Sequence, residues 1–272
     1  MGIMQSDIFI PARLGSKRLP SKPLKEINGK PIIKYLIERL KLCKSVQNIV
    51  VCTTELEEDD MFVKYLKNEN ILTFRGSESD ILKRFLDAAK TFNTEIIVDV
   101  EADKIYTDPK YVDLIIDELQ DPKVDFVTGN NSLEKFDPVF GFHGFVPAGF
   151  KVTALKKICE LKKTDNTETG YKEFFTSNKI FKTKFLLPEP DIIIPNEFRF
   201  ALDYPEDFKL AKVIISNLGN NFSVRDILQF IQKNPHLEQI VEPVIKKWEK
   251  DYKKETSDFS IDWDIILDLK NS

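Results

Sequence analysis

Four cations lie close together near the amino end of the chain, in a stretch that also holds a serine, a glycine and two prolines. These cations are Arg13, Lys17, Arg18 and Lys22. Cationic side chains, and backbone N–H groups freed by a glycine, can bind the phosphates of a compact polyanion such as a nucleoside triphosphate. The prolines restrict the loop before a ligand arrives and so reduce the entropy lost on binding. A solvated basic turn has the same composition, so charge alone leaves both interpretations open.

Two carboxylates follow apolar stretches that are typical of buried strands. Asp103 comes after residues 95–100, and a carboxylate at the end of a strand can hold a divalent cation that bridges phosphate oxygens. An ordinary turn-forming aspartate fits the same position. Asp203 comes after alternating apolar residues at 198–202. The start of a helix explains Pro205 and the two acids after it, whereas it does not explain Asp203.

Hydrophobic periodicity predicts the elements that position these groups. Short apolar runs typical of buried strands occur at residues 7–10, 48–52, 71–74 and 95–100. Amphipathic periodicity predicts helices at residues 30–42, 78–92 and 109–119. A capping box at Thr54 and Glu57 predicts the start of a further helix after the second strand. The alternation implies βαβ units with right-handed crossovers. The first strand therefore delivers the cationic loop to the carboxyl edge of a parallel sheet, where such sheets bind ligands.

The pattern is looser in the second half of the chain. Strands are predicted at residues 126–128, 180–187 and 198–203, and residues 140–149 could supply a strand and a pocket-lining loop. Helices are predicted at residues 151–161 and 168–176, and further helices begin at Pro205, at a capping pair of Ser223 and Asp226, and at Pro243.

Composition bounds the class of protein. The 272 residues carry a net charge of −4, which argues against general nucleic-acid binding and makes the basic loop stand out. No apolar run approaches membrane length and no signal-peptide pattern opens the chain, which predicts a cytoplasmic protein without membrane insertion. The three cysteines lack metal-ligand spacing, and two histidines are too few for a histidine metal cluster.

Residues 11–24 read Pro-Ala-Arg-x-Gly-Ser-x-Arg-Leu-Pro-x-Lys-Pro-Leu, and residues 27–33 read Ile-Asn-Gly-Lys-Pro-Ile-Ile. This opening resembles that of the cytidylyltransferases that make CMP-activated sugars, which include CMP-Kdo synthetase, CMP-sialate synthetase and the spore-coat polysaccharide cytidylyltransferases. The resemblance covers residues 7–112 and 197–235 well. With the βαβ pattern, it implies an α/β fold, a Rossmann-like three-layer sandwich of the nucleotide-diphospho-sugar transferase type with a mostly parallel mixed sheet. We expect a nucleotidyltransferase domain over residues 1–238 and a C-terminal helical extension over 239–272.

The resemblance also implies a chemistry and a set of site residues. It implies a Mg²⁺-dependent enzyme that transfers CMP from CTP to an anionic sugar or polyol-type acceptor and releases pyrophosphate. The implied nucleotide-binding residues are Pro11, Ala12, Arg13, Gly15, Ser16, Lys22, Arg75, Ser77 and Asp80. Of these, Arg13 and Lys22 would also act in catalysis by neutralising the departing pyrophosphate. Asp103 and Asp203 would converge to hold Mg²⁺ as the catalytic carboxylates.

Two departures from the family pattern stand out, one at the metal-binding aspartate and one in the region that binds the acceptor. The family places Gly-Asp at the end of the fourth strand, whereas this chain has Glu101 and Ala102 before Asp103. The spore-coat group's Arg-Glu-His-Val-Thr-Pro-Tyr-like run is replaced by residues 167–172, so we expect a different acceptor. In related enzymes this middle third binds the acceptor and carries dimer contacts. The candidate acceptor contacts are His143, Tyr171 and Lys172, and we expect a homodimer.

Three other classes of protein stay open at this stage. A glycosyltransferase of the related nucleotide-sugar fold would use similar carboxylates, but the only Asp-x-Asp in the chain lies at residues 262–264, in the tail. A thymidylyl- or uridylyltransferase is chemically close but has a different, glycine-rich opening. A non-catalytic nucleotide-binding protein with a decayed site is suggested only by the Glu101–Ala102 departure.

Overall fold

A computed structural model describes residues 2–130, 141–167, 170–176, 180–195 and 198–255. Seven strands form one sheet: β1 (Ser6–Pro11), β2 (Asn48–Thr54), β3 (Leu72–Gly76), β4 (Ile96–Asp99), β5 (Phe126–Gly129), β6 (Ala148–Lys151) and β7 (Thr183–Leu186). Their order across the sheet is β3-β2-β1-β4-β6-β5-β7. Only β6 runs antiparallel to its neighbours β4 and β5, and the other pairs are parallel. The expected mostly parallel mixed sheet is confirmed.

Helices cover both faces of this sheet. They are α1 (Ile32–Leu40), α2 (Asp60–Asn68), α3 (Ile81–Phe92), α4 (Pro109–Leu119), α5 (Val152–Leu161), α6 (Glu173–Thr176), α7 (Pro205–Leu218), α8 (Val224–Lys233) and α9 (Glu238–Glu255). Successive side chains of a strand point to opposite faces, so Ile8 and Ile10 join a core with α1, α4, α7 and α8, whereas Phe9 joins one with α3, α5 and α6. The three-layer α/β fold expected from the sequence is confirmed.

The strand order places the ends of β1 and β4 side by side. The chain runs outward from β1 through β2 to β3 and then returns to β4 on the other side of β1. Backbone bonds continue past the strands, because Val100 donates to the carbonyl of Phe9 at 3.0 Å and Ala102 to that of Pro11 at 3.4 Å. The cationic loop after β1 and residues 101–103 after β4 therefore meet at the switch point, where open α/β sheets bind ligands.

Two local predictions are wrong. Thr54 is the last residue of β2, and its hydroxyl donates to the Asp59 carboxylate, so it caps no helix and α2 begins only at Asp60. The strand expected within residues 140–149 is found as β6, which begins at Ala148. It follows a 3-10 turn over residues 141–144, and residue 140 lies outside the described residues. Residues 198–203 form no strand, because Phe200 has a left-handed backbone with φ of 53°, which breaks the extended geometry of a strand.

The second half of the chain otherwise follows the expected elements with shifted bounds. The helix expected from residue 168 begins, within the described part, at Glu173 after a turn. The last helix, α9, begins five residues before Pro243 and contains that proline. It packs against α7 and buries Val241 and Val244 in the core. Residues 256–272, including the Asp-x-Asp of the tail, lie outside the described residues. No helix in the described part is long and apolar enough to cross a membrane.

Candidate active site

The cationic loop is held in a fixed shape by its neighbours. The amide of Leu14 donates to the buried Asp59 carboxylate at 2.8 Å, and Leu19 donates its amide to the Ser16 hydroxyl at 3.2 Å. Ser21 adopts a left-handed backbone just before the 3-10 turn Lys22–Leu24. A Cβ on Gly15 would lie 2.4 Å from the Glu58 carboxylate. The loop thus depends on Asp59 for support, and its Ser16 hydroxyl already accepts a backbone bond.

Lys22 brings the two distant carboxylates together. Its Nζ lies 3.5 Å from Oδ2 of Asp103 and 3.3 Å from Oδ1 of Asp203. The three side chains are only 12–15% exposed. Asp203 reaches this position because Leu202 donates its amide to the carbonyl of Asp103 at 3.0 Å. The convergence of Asp103 and Asp203 beside the cationic loop is therefore present in the structure, with a lysine ammonium between them.

Two arginines surround Asp203 as well. Nη2 of Arg199 lies 2.9 Å from Oδ2 of Asp203, and Nη2 of Arg18 lies 3.7 Å from its Oδ1. Asp207, in the first turn of α7, accepts the backbone amides of Asp203 and Tyr204 at 2.9 Å and also pairs with Arg199 at 3.2 Å. These contacts fix the Asp203 backbone and carboxylate, so its position does not depend on a bound ligand.

The two carboxylates differ in how firmly they hold their charge. Burial opposes the charge on the Lys22 amine, but Asp103 and Asp203 outweigh it and raise its pKa. Burial also favours the neutral form of Asp203, yet the cations around it, Lys22 first and then Arg199, hold the pKa of that carboxyl well below its usual range. Asp103 has fewer cations near it, so burial prevails over Lys22 and raises its pKa. A further cation at Asp103 would therefore stabilise its charged form.

The residues present fit a divalent cation. Oδ1 of Asp103 is buried and has no hydrogen-bond partner among the described residues, and carboxylate oxygens are ligands that hard cations prefer. The described residues hold no group of three or more His, Cys, Asp or Glu side chains that could share a metal ion. Mg²⁺ in phosphate-binding sites takes one or two carboxylates and keeps water and substrate oxygens for the rest. The pair of Asp103 and Asp203 meets that requirement.

The three predicted nucleotide contacts at the end of β3 and just after it differ in their surroundings. Arg75 donates to the carbonyls of residues 54 and 56 and pairs with Asp60 at 2.6 Å. The Asp80 carboxylate is buried and bound to other protein groups. Ser77 accepts the Asp80 amide at 3.2 Å, and Arg13 lies 3.5 Å from Glu78. The turn over residues 77–79 therefore lies beside the cationic loop, while Arg75 and Asp80 stabilise the chain on either side of it.

The predicted acceptor contacts fall in two places. Lys172 lies 2.8 Å from Oε1 of Glu101, and the buried Tyr171 donates its hydroxyl to Asp99, so both are on the β4 side of the cationic loop. Burial, then the charge of Glu101, raises the pKa of Asp99 well above its usual range. Burial opposes the charge of Glu101, but Lys172 and Lys104 lower its pKa to about 2. His143 is half-buried in the 3-10 turn that packs against Phe200.

Sequence reasoning passed over two cations at the carboxylates. Arg18 stands in the basic loop without a role of its own, and Arg199 is not among the predicted site residues. The signal for Arg18 was its place in the loop, four residues before Lys22. No local signal marks Arg199, because its contact with Asp203 depends on the irregular backbone at Phe200.

Comparisons with known proteins are consistent with this geometry. A family model described as "Cytidylyltransferase" matches residues 8–148, just over half of the chain. An uncharacterised protein of Methanocaldococcus jannaschii is 30% identical over 241 residues, which cover 88% of this chain and 95% of that protein. The spore coat polysaccharide biosynthesis protein SpsF of Bacillus subtilis is 23% identical over 238 residues, covering 84% of this chain and 94% of that protein.

Among solved structures, a cytidylyltransferase from Leptospira borgpetersenii has a TM-score of 0.76 with this chain. It is 32% identical in sequence, and the match covers 88% of this chain and 97% of that one. The match therefore covers more of the chain than the family model does and includes at least part of the middle third, where the resemblance of motifs is weakest.

Proposed function

The chain belongs to the cytidylyltransferase family, and on that premise we propose that it transfers CMP from CTP to an anionic sugar or polyol-type acceptor. In this reaction the acceptor oxygen forms a bond to the α-phosphorus of CTP and the bond to the leaving pyrophosphate breaks. Such chemistry asks the protein mainly to position the reactants and to neutralise charge. The single observation that carries the proposal is the meeting of Asp103, Asp203 and Lys22 at the switch point of the sheet.

The cations of the loop lie in two places. Lys22 and Arg18 lie at the carboxylates, whereas Arg13 lies on the other side of the loop, beside Glu78. In this proposal Lys22 and Arg13 bind the β- and γ-phosphates and stabilise the negative charge that develops on pyrophosphate as it leaves. The fixed loop lowers the entropic cost of gathering these cations around the ligand.

Asp103 and Asp203 would hold Mg²⁺ in this proposal. The orphaned Oδ1 of Asp103 supports that role. When bound, the ion would polarise the α-phosphate and neutralise charge on the acceptor oxygen. Among the described residues we assign no protein general base, because an acceptor oxygen that is already ionised needs none.

The acceptor side lies across β4 from the nucleotide loop. Lys172 and Lys104 surround Glu101 there, and a lysine ammonium on a partly exposed surface can bind a carboxylate or phosphate of the acceptor. The Bacillus subtilis relative is named for spore coat polysaccharide biosynthesis. We therefore extend the proposal to the synthesis of an activated sugar for a surface glycan, with the middle third recognising an acceptor of its own.

Calorimetry against CTP, UTP, dTTP and CDP in the presence of Mg²⁺ tests the nucleotide half of the proposal. We expect the triphosphate to bind more tightly than the diphosphate and cytosine to be preferred over uracil and thymine. Pyrophosphate release measured over a panel of sugar acids, sugar phosphates and polyol phosphates then identifies the acceptor. Absence of CTP binding, or equal binding of all three triphosphates, would contradict the proposal.

A further inference from the structure

A buried lysine outside the reacting centre holds the turn that lies beside the cationic loop. Lys162 follows the last residue of α5, and its Nζ lies 2.6 Å from Oδ2 of Asp80. The two side chains are only 6% and 4% exposed. Lys162 also donates to the carbonyl of Thr164 at 2.9 Å and pairs with Asp165 at 3.0 Å. A buried ion pair of this kind keeps its geometry only where hydrogen bonds satisfy both partners.

Both oxygens of the Asp80 carboxylate accept hydrogen bonds from other protein groups. Oδ1 accepts the Thr167 hydroxyl at 3.0 Å and the Lys83 amide at 3.1 Å, while Oδ2 accepts Lys162. Thr167 itself is fully buried and donates its amide to the carbonyl of Ser79 at 3.0 Å. Asp80 is thus a cap of α3 and an anchor, and it presents no free oxygen toward a nucleotide.

The turn that Asp80 anchors faces the ligand edge of the sheet. It leaves the carboxyl end of β3, and its residue Glu78 lies 3.5 Å from Arg13 of the cationic loop. The other end of that loop carries Lys22, which lies at Asp103 after β4. In the proposed complex the α-phosphate lies at the carboxylates and Arg13 reaches the phosphate chain from the β3 side. We therefore place the nucleoside next to Arg13, at the turn over residues 77–79.

The reversed direction of β6 explains how α5 reaches this place. Because β6 runs antiparallel to β4, it ends at Lys151 on the edge of the sheet away from the ligand. The helix α5 then returns to the ligand edge and delivers Lys162 to Asp80. Lys151 is also buried and donates to a carbonyl, that of Asp121, at 2.6 Å. Lys151, which immediately precedes the other end of α5, therefore serves as a matched control for Lys162.

We propose that Lys162 is a positioning residue for the nucleoside part of CTP, because it holds Asp80 and thereby fixes the turn over residues 77–79. The inference rests on the proposed function, since it takes CTP as the ligand. Lys162 touches no reacting atom, and the loop that carries the phosphate-binding cations is held through Asp59. The contact of that loop with the turn, between Arg13 and Glu78, is solvent-exposed and contributes little. Loss of Lys162 therefore weakens binding of the nucleoside and leaves binding of the phosphate chain intact.

The test compares CTP with inorganic tripolyphosphate by calorimetry on Lys162→Met, with Lys151→Met as the control. We expect the affinity of Lys162→Met for CTP to fall about tenfold, since displacement of a positioning group by roughly 1 Å can cost that much or more. Its affinity for tripolyphosphate should stay within about twofold of the parent, a change within the usual scatter of surface substitutions. Lys151→Met should bind both ligands as the parent does.

Lys162→Met leaves the buried Asp80 carboxylate without its cation and could prevent folding. The double variant Lys162→Met with Asp80→Asn removes that carboxylate as well. It should show the same selective loss of CTP binding. Unchanged CTP affinity in a folded variant, or an equal loss for CTP and tripolyphosphate, would overturn the inference. Absence of CTP binding by the parent protein would instead overturn the proposed function.

Discussion

At the scale of single residues, the central feature is one ammonium shared by two carboxylates. Lys22 lies within 3.5 Å of both Asp103 and Asp203, so it supplies in the free protein part of the positive charge that Mg²⁺ would supply in the complex. In the proposed complex the same lysine binds phosphate oxygens. On the proposed function, the lysine and the metal ion would compete for one pair of carboxylates, which leads to two predictions.

Asp103→Asn and Asp203→Asn should each lower kcat by roughly a hundredfold or more, in line with the loss of a principal electrostatic group. The measurement is pyrophosphate release with CTP, Mg²⁺ and an acceptor identified from the panel. Asp87→Asn is the control and should leave kcat unchanged, because the ion pairs of Asp87 among the described residues are with Lys83 and Lys90 on the exposed face of α3. Full turnover in both active-site variants would remove the metal assignment.

Lys22→Met should weaken CTP binding and at the same time make the free protein more responsive to Mg²⁺. Without the ammonium, the two carboxylates repel each other and a bound cation relieves the repulsion. We expect saturating Mg²⁺ to raise the Tm of Lys22→Met by about 3 °C more than that of the parent. Lys17→Met, which changes an exposed cation of the same loop, is the control. An equal Mg²⁺ shift in all three proteins would show that Lys22 and the ion do not compete.

At the scale of elements, the sequence predicts what local chemistry determines. The apolar run of β1 and the Asp108–Pro109 start of α4 are both found, because pattern and cap act within a few residues. The strand expected at residues 198–203 fails for a physical reason. Phe198, Phe200 and Leu202 are buried by packing of an irregular segment, not by strand pairing, and periodicity cannot separate the two.

The same limit applies to the site. A cation-rich loop and a carboxylate at a strand end can be recognised from spacing, so Lys22 and Asp103 were accessible to prediction. The contact of Arg199 with Asp203 could not be inferred, although the two residues are only four apart, because it depends on the irregular backbone at Phe200. Likewise, Thr54 and Glu57 have the spacing of a capping box, but in the folded chain the Thr54 hydroxyl donates to the Asp59 carboxylate and caps no helix.

Asp99 of β4 offers a prediction on pH. Burial and then the charge of Glu101 raise its pKa in the folded protein, so the folded state keeps a proton that the unfolded state has lost. The stability of the parent relative to Asp99→Asn should therefore fall as pH rises from about 4, the ordinary pKa of aspartate. Denaturant unfolding of both proteins between pH 4 and pH 8 measures this difference. A constant difference, or one that grows in favour of the parent, would contradict it.

At the scale of the whole molecule, Arg39 of α1 joins three parts of the domain. Its fully buried guanidinium donates to the carbonyls of Thr107, Asn220 and Phe222 at 2.6–2.9 Å. These carbonyls precede α4 and α8, so one side chain connects α1 to the starts of two other helices. Burial lowers the pKa of Arg39 to about 10, which still leaves it charged at neutral pH.

Arg39→Lys should destabilise the domain by about 2–4 kcal/mol, because an ammonium cannot reach all three carbonyls and each one left unpaired costs about 1–3 kcal/mol. Urea unfolding measures the loss. CTP affinity of the folded protein should not change, since the groups that Arg39 binds are carbonyls before α4 and α8 and not residues assigned to the nucleotide. Stability equal to that of the parent would show that water replaces the lost bonds at no cost.

Anomalous X-ray diffraction from a crystal grown with CTP and Mn²⁺ tests the central claim most directly, because manganese binds the same oxygen ligands as magnesium and can be located by its own signal. We expect one manganese peak in contact with carboxylate oxygens of both Asp103 and Asp203 and with a phosphate oxygen of CTP, with the Lys22 amine moved onto the phosphates. A peak bound elsewhere, or CTP bound while Lys22 still lies between the two carboxylates, would contradict it.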